Sequence, residues 1–167
     1  MQLRRINEND LEQRVKWMNN PKVYKSMHFA IPVLLDKTIL WYKNNLKRKD
    51  RVDLIFHNDE GETVAFGGIT SIDTALCKGE LYVFVNPDVQ KKGIGTVATR
   101  LLCDYGFQIL KLNKIYLEIN EDNVVAQRVY EKCGFRLEGR LNQGYLTADG
   151  ELKNLLYYDL LKDDWGK

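Results

Sequence analysis

Gly79-Glu80-Leu81-Tyr82-Val83-Phe84-Val85-Asn86-Pro87-Asp88-Val89-Gln90-Lys91-Lys92-Gly93-Ile94-Gly95-Thr96 is the stretch whose reading decides the fold. Its first half alternates as a strand does, with Leu81, Val83 and Val85 on one face and Glu80, Tyr82 and Phe84 on the other. Asn86-Pro87 ends the strand, because proline cannot donate to a ladder. Its second half opens a long helix predicted over 93–110, with Ile94, Val97, Ala98, Leu101, Leu102, Tyr105 and Ile109 at helical spacing. Three features of that opening share one cause. Gly93 and Gly95 occupy a first turn where each costs up to about 1 kcal/mol relative to alanine. No Ser, Thr, Asp or Asn immediately precedes the helix to cap it. Lys91 and Lys92 stand at the positive end of the helix dipole, the wrong sign for stability. A bound polyanion accounts for all three, although the glycine pattern alone fits a solvated loop equally well. The pattern lacks the Gly-Lys-Ser/Thr of a P-loop and is not GxGxxG.

Outward from this stretch, the chain reads as a mixed α/β domain. Gln2 to Ile6 is a predicted strand, and Asn9 or Asp10 caps a helix that ends at Asn19-Asn20-Pro21. An aromatic loop follows, and Asp36 caps a second helix through Lys49 with a stripe of Ile39, Leu40, Tyr42 and Leu46. Strands are predicted over 52–57 and 63–72, with Asn58-Asp59-Glu60-Gly61 as their turn. After the long helix come a strand over 114–120, a helix capped by Asp122 or Asn123 and stopped at Gly134, and two strands over 135–141 and 152–160 joined by Thr147-Ala148-Asp149-Gly150. The order β-α-α-β-β-β-α-β-α-β-β implies one domain over 1–167, with a mixed sheet of about six to seven strands and helices on both faces.

Bulk composition excludes more than it assigns. Net charge is +2, from 25 basic and 23 acidic residues, without the excess that marks a nucleic-acid binder. Cys77, Cys103 and Cys133 are odd in number and have no CxxC spacing, as expected of a reducing, cytoplasmic compartment. The sequence shows no 18-residue apolar run and no secretion signal, so no membrane partner is expected. His28 and His57 are isolated, so no metal site is expected.

Gln90-x-x-Gly93-x-Gly95, after a strand and opening a long helix, resembles the acetyl-CoA signature of the GNAT superfamily of N-acetyltransferases. A second signature, Asn123-Val124-Val125-Ala126-Gln127-Arg128-Val129-Tyr130-Glu131-Lys132-Cys133-Gly134-Phe135, follows in the expected order. The resemblance implies acetyl-CoA as co-substrate. The pyrophosphate would lie on backbone N–H groups of Lys91, Lys92, Gly93, Ile94, Gly95 and Thr96. Pantetheine would lie along a bulged strand at Phe84 and Val85, with Asn123 facing the cofactor. It also implies Tyr130 as the proton donor to the departing thiolate, and it leaves the general base open among Glu80, Glu118 and a water chain. Asn123 and Tyr130 lie two helical turns apart and can face one groove.

For the acceptor, the first two helices, their loop and the last hairpin supply Tyr24, His28, Phe29 and Tyr145, beside Trp17, Asn19, Trp41 and Tyr42. Core packing is the expected place of Trp17 and Trp41. The opening Lys16-Trp17-Met18-Asn19-Asn20-Pro21 with Glu138-Gly139-Arg140 resembles a subgroup of ribosomal-protein, spermidine and nucleotide-aminosugar N-acetyltransferases. Segment 16–49 holds Asp36 as its single acid, which disfavours a polyamine and points to a small amine such as a nucleotide-linked amino sugar. A protein N-terminal or lysine acetyltransferase, and a non-catalytic acyl-CoA-binding module, are the alternatives. A homodimer is a family-level expectation.

Overall fold

The computed structural model describes residues 1–89, 93–147 and 149–166. The expected roles of Gln90, Lys91 and Lys92, and Ala148 of the last turn, fall outside the described residues. Seven strands form one sheet among the described residues: β1 (Gln2–Arg5), β2 (Val52–His57), β3 (Thr63–Asp73), β4 (Lys78–Val85), β5 (Lys114–Asn120), β6 (Arg136–Leu146) and β7 (Leu152–Leu161). Their order is β1-β2-β3-β4-β5-β7-β6, antiparallel throughout except where β4 runs parallel to β5. The helices are α1 (Leu11–Met18), α2 (Pro21–Tyr24), α3 (Leu35–Asn45), α4 (Ile94–Asp104) and α5 (Val124–Lys132).

Alternation along the central strands sends side chains into two separate cores. Leu54, Phe56, Ile69, Leu81, Ile115 and Leu117 pack with Ala98, Leu102 and Cys103 of α4 and with Tyr130 of α5. On the other face Ile55, Phe66 and Phe84 pack with Trp17 of α1 and Val23 of α2. Burial on both faces explains why β2 reads as a nearly unbroken apolar run rather than an alternating one.

The decisive irregularity is between β4 and β5. They pair only as Lys78↔Lys114, Gly79↔Ile115 and Glu80↔Tyr116. Beyond Glu80, β4 stays paired with β3 as far as Val85↔Ala65, and β5 stays paired with β7 as far as Asn120↔Leu155. The two strands therefore part company as a wedge. The expected bulge in β4 is not the cause. The β3–β4 register is unbroken from Ala65↔Val85 to Thr70↔Glu80, and the shift lies between Thr70 and Asp73 of β3, where Ser71 takes φ 49°. The extra residue is thus on β3.

Local chemistry corrects several other expectations. Asn7, rather than Asn9 or Asp10, is the first cap. Its side chain accepts from Asn9 N–H, and Asp10 answers as the far half of a capping box around a 3₁₀ turn. Asn20-Pro21 starts α2 instead of a loop, because Asn20 caps it and proline suits the first helical position. Asp36 sits inside the first turn of α3, which has no side-chain cap, and α3 ends at Asn45. Its buried position is Thr38, while Leu40 and Leu46 are exposed, since α3 turns Trp41 toward Arg14 of α1. The long helix is α to Asp104 and then widens into a π turn over Tyr105–Ile109, closed by Leu110 N–H donating to Tyr105 C=O at 3.0 Å. That wider turn rotates Ile109 out of the core to 62% exposure. Asn123, not Asp122, caps α5, accepting from Ala126 N–H at 3.1 Å. β6 runs on to Leu146, five residues past the expected end, paired with β7 through Leu146↔Leu152.

Gly67 and Gly68 sit in the middle of β3, and Gly68 has a reason visible in its surroundings. A Cβ there would lie 2.2 Å from Val52 C=O and 2.8 Å from the Tyr82 ring, backbone and aromatic atoms that cannot yield cheaply. The Gly68→Ala protein is expected to lose about 1–3 kcal/mol in urea unfolding, as for overpacked cores. Gly139→Ala, with nothing within 4 Å of the new methyl group, should stay within about 0.5 kcal/mol of the parent. Equal midpoints for the two variants would refute this account of β3.

Candidate active site

A cavity of about 600 Å³ fills the wedge between β4 and β5 and continues under the segment after α2. Glu80 to Phe84 of β4, Glu118 and Ile119 of β5, and Asn123, Ala126 and Tyr130 of α5 line one side. Ser26 to Ala30, Leu34 to Trp41 in part, and Arg14 of α1 line the other. The wedge brings Glu80, Phe84, Asn123, Tyr130, His28 and Phe29 into one space. Tyr24 and Tyr145 line a neighbouring cavity of about 500 Å³ instead. Phe29 lines both, and Tyr145 touches the first only through His28, whose ring lies 4.4 Å from its own. Trp17 is core, but Trp41, expected in the core too, lines the cavity.

Glu80 is the last paired residue of the β4–β5 ladder, opposite Tyr116, and lines the cavity with Glu118, two residues further along β5. Burial first, and the neighbouring Glu118 second, raise the Glu80 carboxyl above the ordinary glutamate value. Ser71 Oγ donates to Glu80 Oε2 at 3.4 Å and works in the opposite direction, an interaction that the bulge in β3 makes reachable. A carboxyl group so placed can bind an ammonium or accept a proton from it.

Tyr130 lies seven residues after the Asn123 cap, so α5 turns both toward the cavity. Its ring meets Phe135 edge-on at 5.6 Å. Burial, with Cys133 and Cys103 nearby, pushes its hydroxyl well above the ordinary tyrosine value. The phenol therefore stays protonated at neutral pH and has a proton to give. Cys133 is buried and burial raises its thiol, so it is a packing residue and no nucleophile.

The α4 end of the wedge has the expected character. Gly93 takes φ +73° as the residue preceding α4, a left-handed conformation suited to glycine. Among the described residues no side chain caps α4, and its first turn carries no acid. A Cβ on Gly95 would meet, among the described residues, only Val85 Cγ1, at 3.9 Å. The described atoms thus leave room around the Gly95 backbone. Val85, Ile94 and Thr96 flank this turn and do not line the cavity.

Several residues in or behind the cavity wall were missed by sequence reasoning. Asn120, 2% exposed at the end of β5, accepts from His28 Nε2–H at 2.8 Å and donates to Lys25 C=O at 3.4 Å, so it ties the cavity wall to the sheet. Arg51 donates twice to Asp53, at 2.7 and 2.8 Å, and Asp53 also accepts from the Tyr82 hydroxyl. Arg14 is buried between Leu11 and Trp17 on the inner face of α1. A charge in the apolar period was the one signal that could have flagged it.

Residues 1–136 match the acetyltransferase (GNAT) domain. The spermidine N(1)-acetyltransferase of Escherichia coli K12 is 32% identical over 97 residues, 58% of this chain and 52% of that enzyme. The chain thus spans about half the length of that curated relative. An uncharacterised N-acetyltransferase of Bacillus licheniformis, p20, is 24% identical over 98% of this chain and 93% of its own. The spermidine N-acetyltransferase of Vibrio cholerae, solved with CoA and spermine, superposes with a TM-score of 0.92 at 23% identity, covering 98% of this chain and 96% of that one, a likeness of fold. With the family domain spanning most of the sequence and the split β4–β5 pair beneath it, the chain belongs to the acetyltransferase (GNAT) family.

Proposed function

We propose that this protein transfers the acetyl group of acetyl-CoA to the primary amine of a small molecule, by direct attack in a ternary complex. The carrying observation is the wedge. Where β4 and β5 separate, β4 backbone is free of a strand partner on one side, and Glu80, Glu118 and Tyr130 gather beside it. Pantetheine would lie along β4 at Phe84 and Val85. The pyrophosphate would lie on N–H groups of Gly93, Ile94, Gly95 and Thr96, at the positive end of α4. Glu80 would take the proton from the acceptor ammonium, directly or through water, and Tyr130 would return one to the CoA thiolate. The β4 N–H groups would stabilise the oxyanion of the tetrahedral intermediate.

The acceptor is read as a small molecule because Ser26 to Ala30 and Pro32 to Leu34 give the cavity a second wall facing the strands, where a peptide would need a flat groove. Among small amines, a nucleotide-linked amino sugar suits the charges. Arg14, Lys37 and Arg51 line the cavity together with Glu80 and Glu118, a mixed set rather than the dense acidity a polyamine calls for. A polyamine is the second reading, favoured by the spermidine acetyltransferases among the relatives and by the paired carboxylates.

Gly95→Glu should abolish saturable acetyl-CoA binding in calorimetry while leaving the circular dichroism spectrum unchanged. Retained affinity would remove the α4 turn from the cofactor site. In a thiol-release assay against an amine library, Tyr130→Phe should bind acetyl-CoA normally and turn over about 10²-fold more slowly. Unaltered kcat would rule out the proton-donor role.

Glu80 yields a test in pH. Its raised folded-state value means that the stability it contributes is present below the ordinary carboxylate range and lost as pH rises through the shifted value. Glu80→Gln should therefore melt higher than the parent at pH 8, with the gain vanishing toward pH 4, and should lose the acidic limb of the kcat profile. A variant less stable at every pH would contradict the assigned environment.

A further inference from the structure

Arg14 is 6% exposed, and its Nη1 is buried without a hydrogen-bond partner. Its guanidinium carbon lies 4.9 Å from the Trp41 ring, 5.2 Å from Phe84, 5.7 Å from Tyr82 and 5.8 Å from Phe66. Among the described residues no carboxylate pairs with it. Asp53, which like Arg14 neighbours Tyr82, is already engaged by Nε and Nη2 of Arg51 and by the Tyr82 hydroxyl. Aromatic faces attract a cation, but they supply no carboxylate or carbonyl oxygen to the N–H groups. A buried polar group is ordinarily satisfied, and a buried charge is ordinarily paired. Arg14 lines the 600 Å³ cavity, so the missing partner has a place to come from.

The same cavity holds Glu80 and Glu118 on the opposite strands of the wedge. It therefore has a carboxylate pair suited to an ammonium and, apart from it, a guanidinium suited to an oxyanion. We propose that Arg14 anchors an anionic group of the acceptor, a carboxylate or a phosphate, while the amine of the same molecule is held at Glu80. The planar fork of arginine pairs two N–H bonds with either group. The aromatic cage holds the fork in position and excludes the water that would otherwise screen it. Lys37 and Arg51, on the same lining, add positive potential around the anchor. The inference rests on the reading of this cavity as the acceptor site, and it narrows that site to amines that carry a negative charge. Arg14 is a specificity residue in this scheme and takes no part in proton transfer.

The test has two readouts. The first is acetyl transfer to matched amines, glucosamine against glucosamine 6-phosphate and butylamine against 4-aminobutyrate. Wild type should prefer the anionic member of at least one pair by about tenfold or more in kcat/KM. The phosphate and carboxylate pairs tell the two sources apart. Arg14→Met should erase that preference mainly through KM, and Arg14→Lys should recover part of it. The second readout needs no turnover. UDP and succinate are titrated by calorimetry into CoA-saturated protein, with the CoA titration itself as the control for folding. Saturable binding by wild type that weakens about tenfold in Arg14→Met supports the anchor, even if no amine in the panel is acetylated, and in that case only the acetyl-transfer reading is in difficulty. Turnover without preference for anionic amines, together with no binding of UDP or succinate, overturns the anchor and leaves acetyl transfer standing. So does an equal loss on both members of each pair in Arg14→Met.

Discussion

Three residue pairs between β4 and β5 are the constraint on which the rest of this molecule depends. A parallel ladder is held by evenly spaced bonds, and a ladder this short fixes direction without fixing separation. The strands are kept in one sheet at Glu80↔Tyr116 and released immediately beyond it. Each is then held by its outer neighbour alone, β4 by β3 and β5 by β7. The gap is consequently not a cavity left by poor packing. It is maintained by two antiparallel ladders pulling on opposite sides, and its depth is set by where the pairing stops.

The helices make the gap usable because each side of the sheet supplies a different chemistry. α4 and α5 cover one face, bringing an uncapped helix start and a buried tyrosine. α1, α2 and α3 cover the other, bringing Arg14 and Trp41 over the mouth. The long β6–β7 hairpin adds Tyr145, which supports the imidazole of His28 from outside. No single element carries the site, so its geometry is only as fixed as the sheet that joins them.

Much of this was legible in the residues. The stretch 79–96 identified strand, stop and glycine-opened helix because each rests on local backbone chemistry: alternation, a proline without N–H, glycine at positive φ. Tyr130 and Asn123 were legible because helical spacing alone puts them on one side. What resisted reading depends on separations along the chain that no local period records. The bulge at Ser71 is visible only once β3 is laid against β4. The π turn at Tyr105–Ile109 accommodates Gly106, where a Cβ would come within 2.8 Å of both Ile69 and Ile115, residues far away in sequence. Tyr24 and Tyr145 looked like acceptor contacts by composition, but they line a cavity beside the one that holds Glu80 and Tyr130, with Met27 and Phe29 common to both. Arg14 was overlooked because the first helix was read by its ends alone, although an ion on the inner side of an amphipathic helix is an informative departure.

The contact between His28 and Asn120 carries a consequence for how the cavity wall responds to its surroundings. Asn120 presents its carbonyl oxygen to Nε2 and spends its amide on Lys25, so the imidazole must offer a hydrogen at Nε2. Neutral imidazole in that tautomer offers it, and so does imidazolium. The segment after α2 is thereby fastened to the end of β5 at two points, one side chain and one backbone carbonyl, both meeting the same amide. Wall and strand are one mechanical piece, so the segment cannot swing away from the cavity without breaking both bonds to a buried side chain.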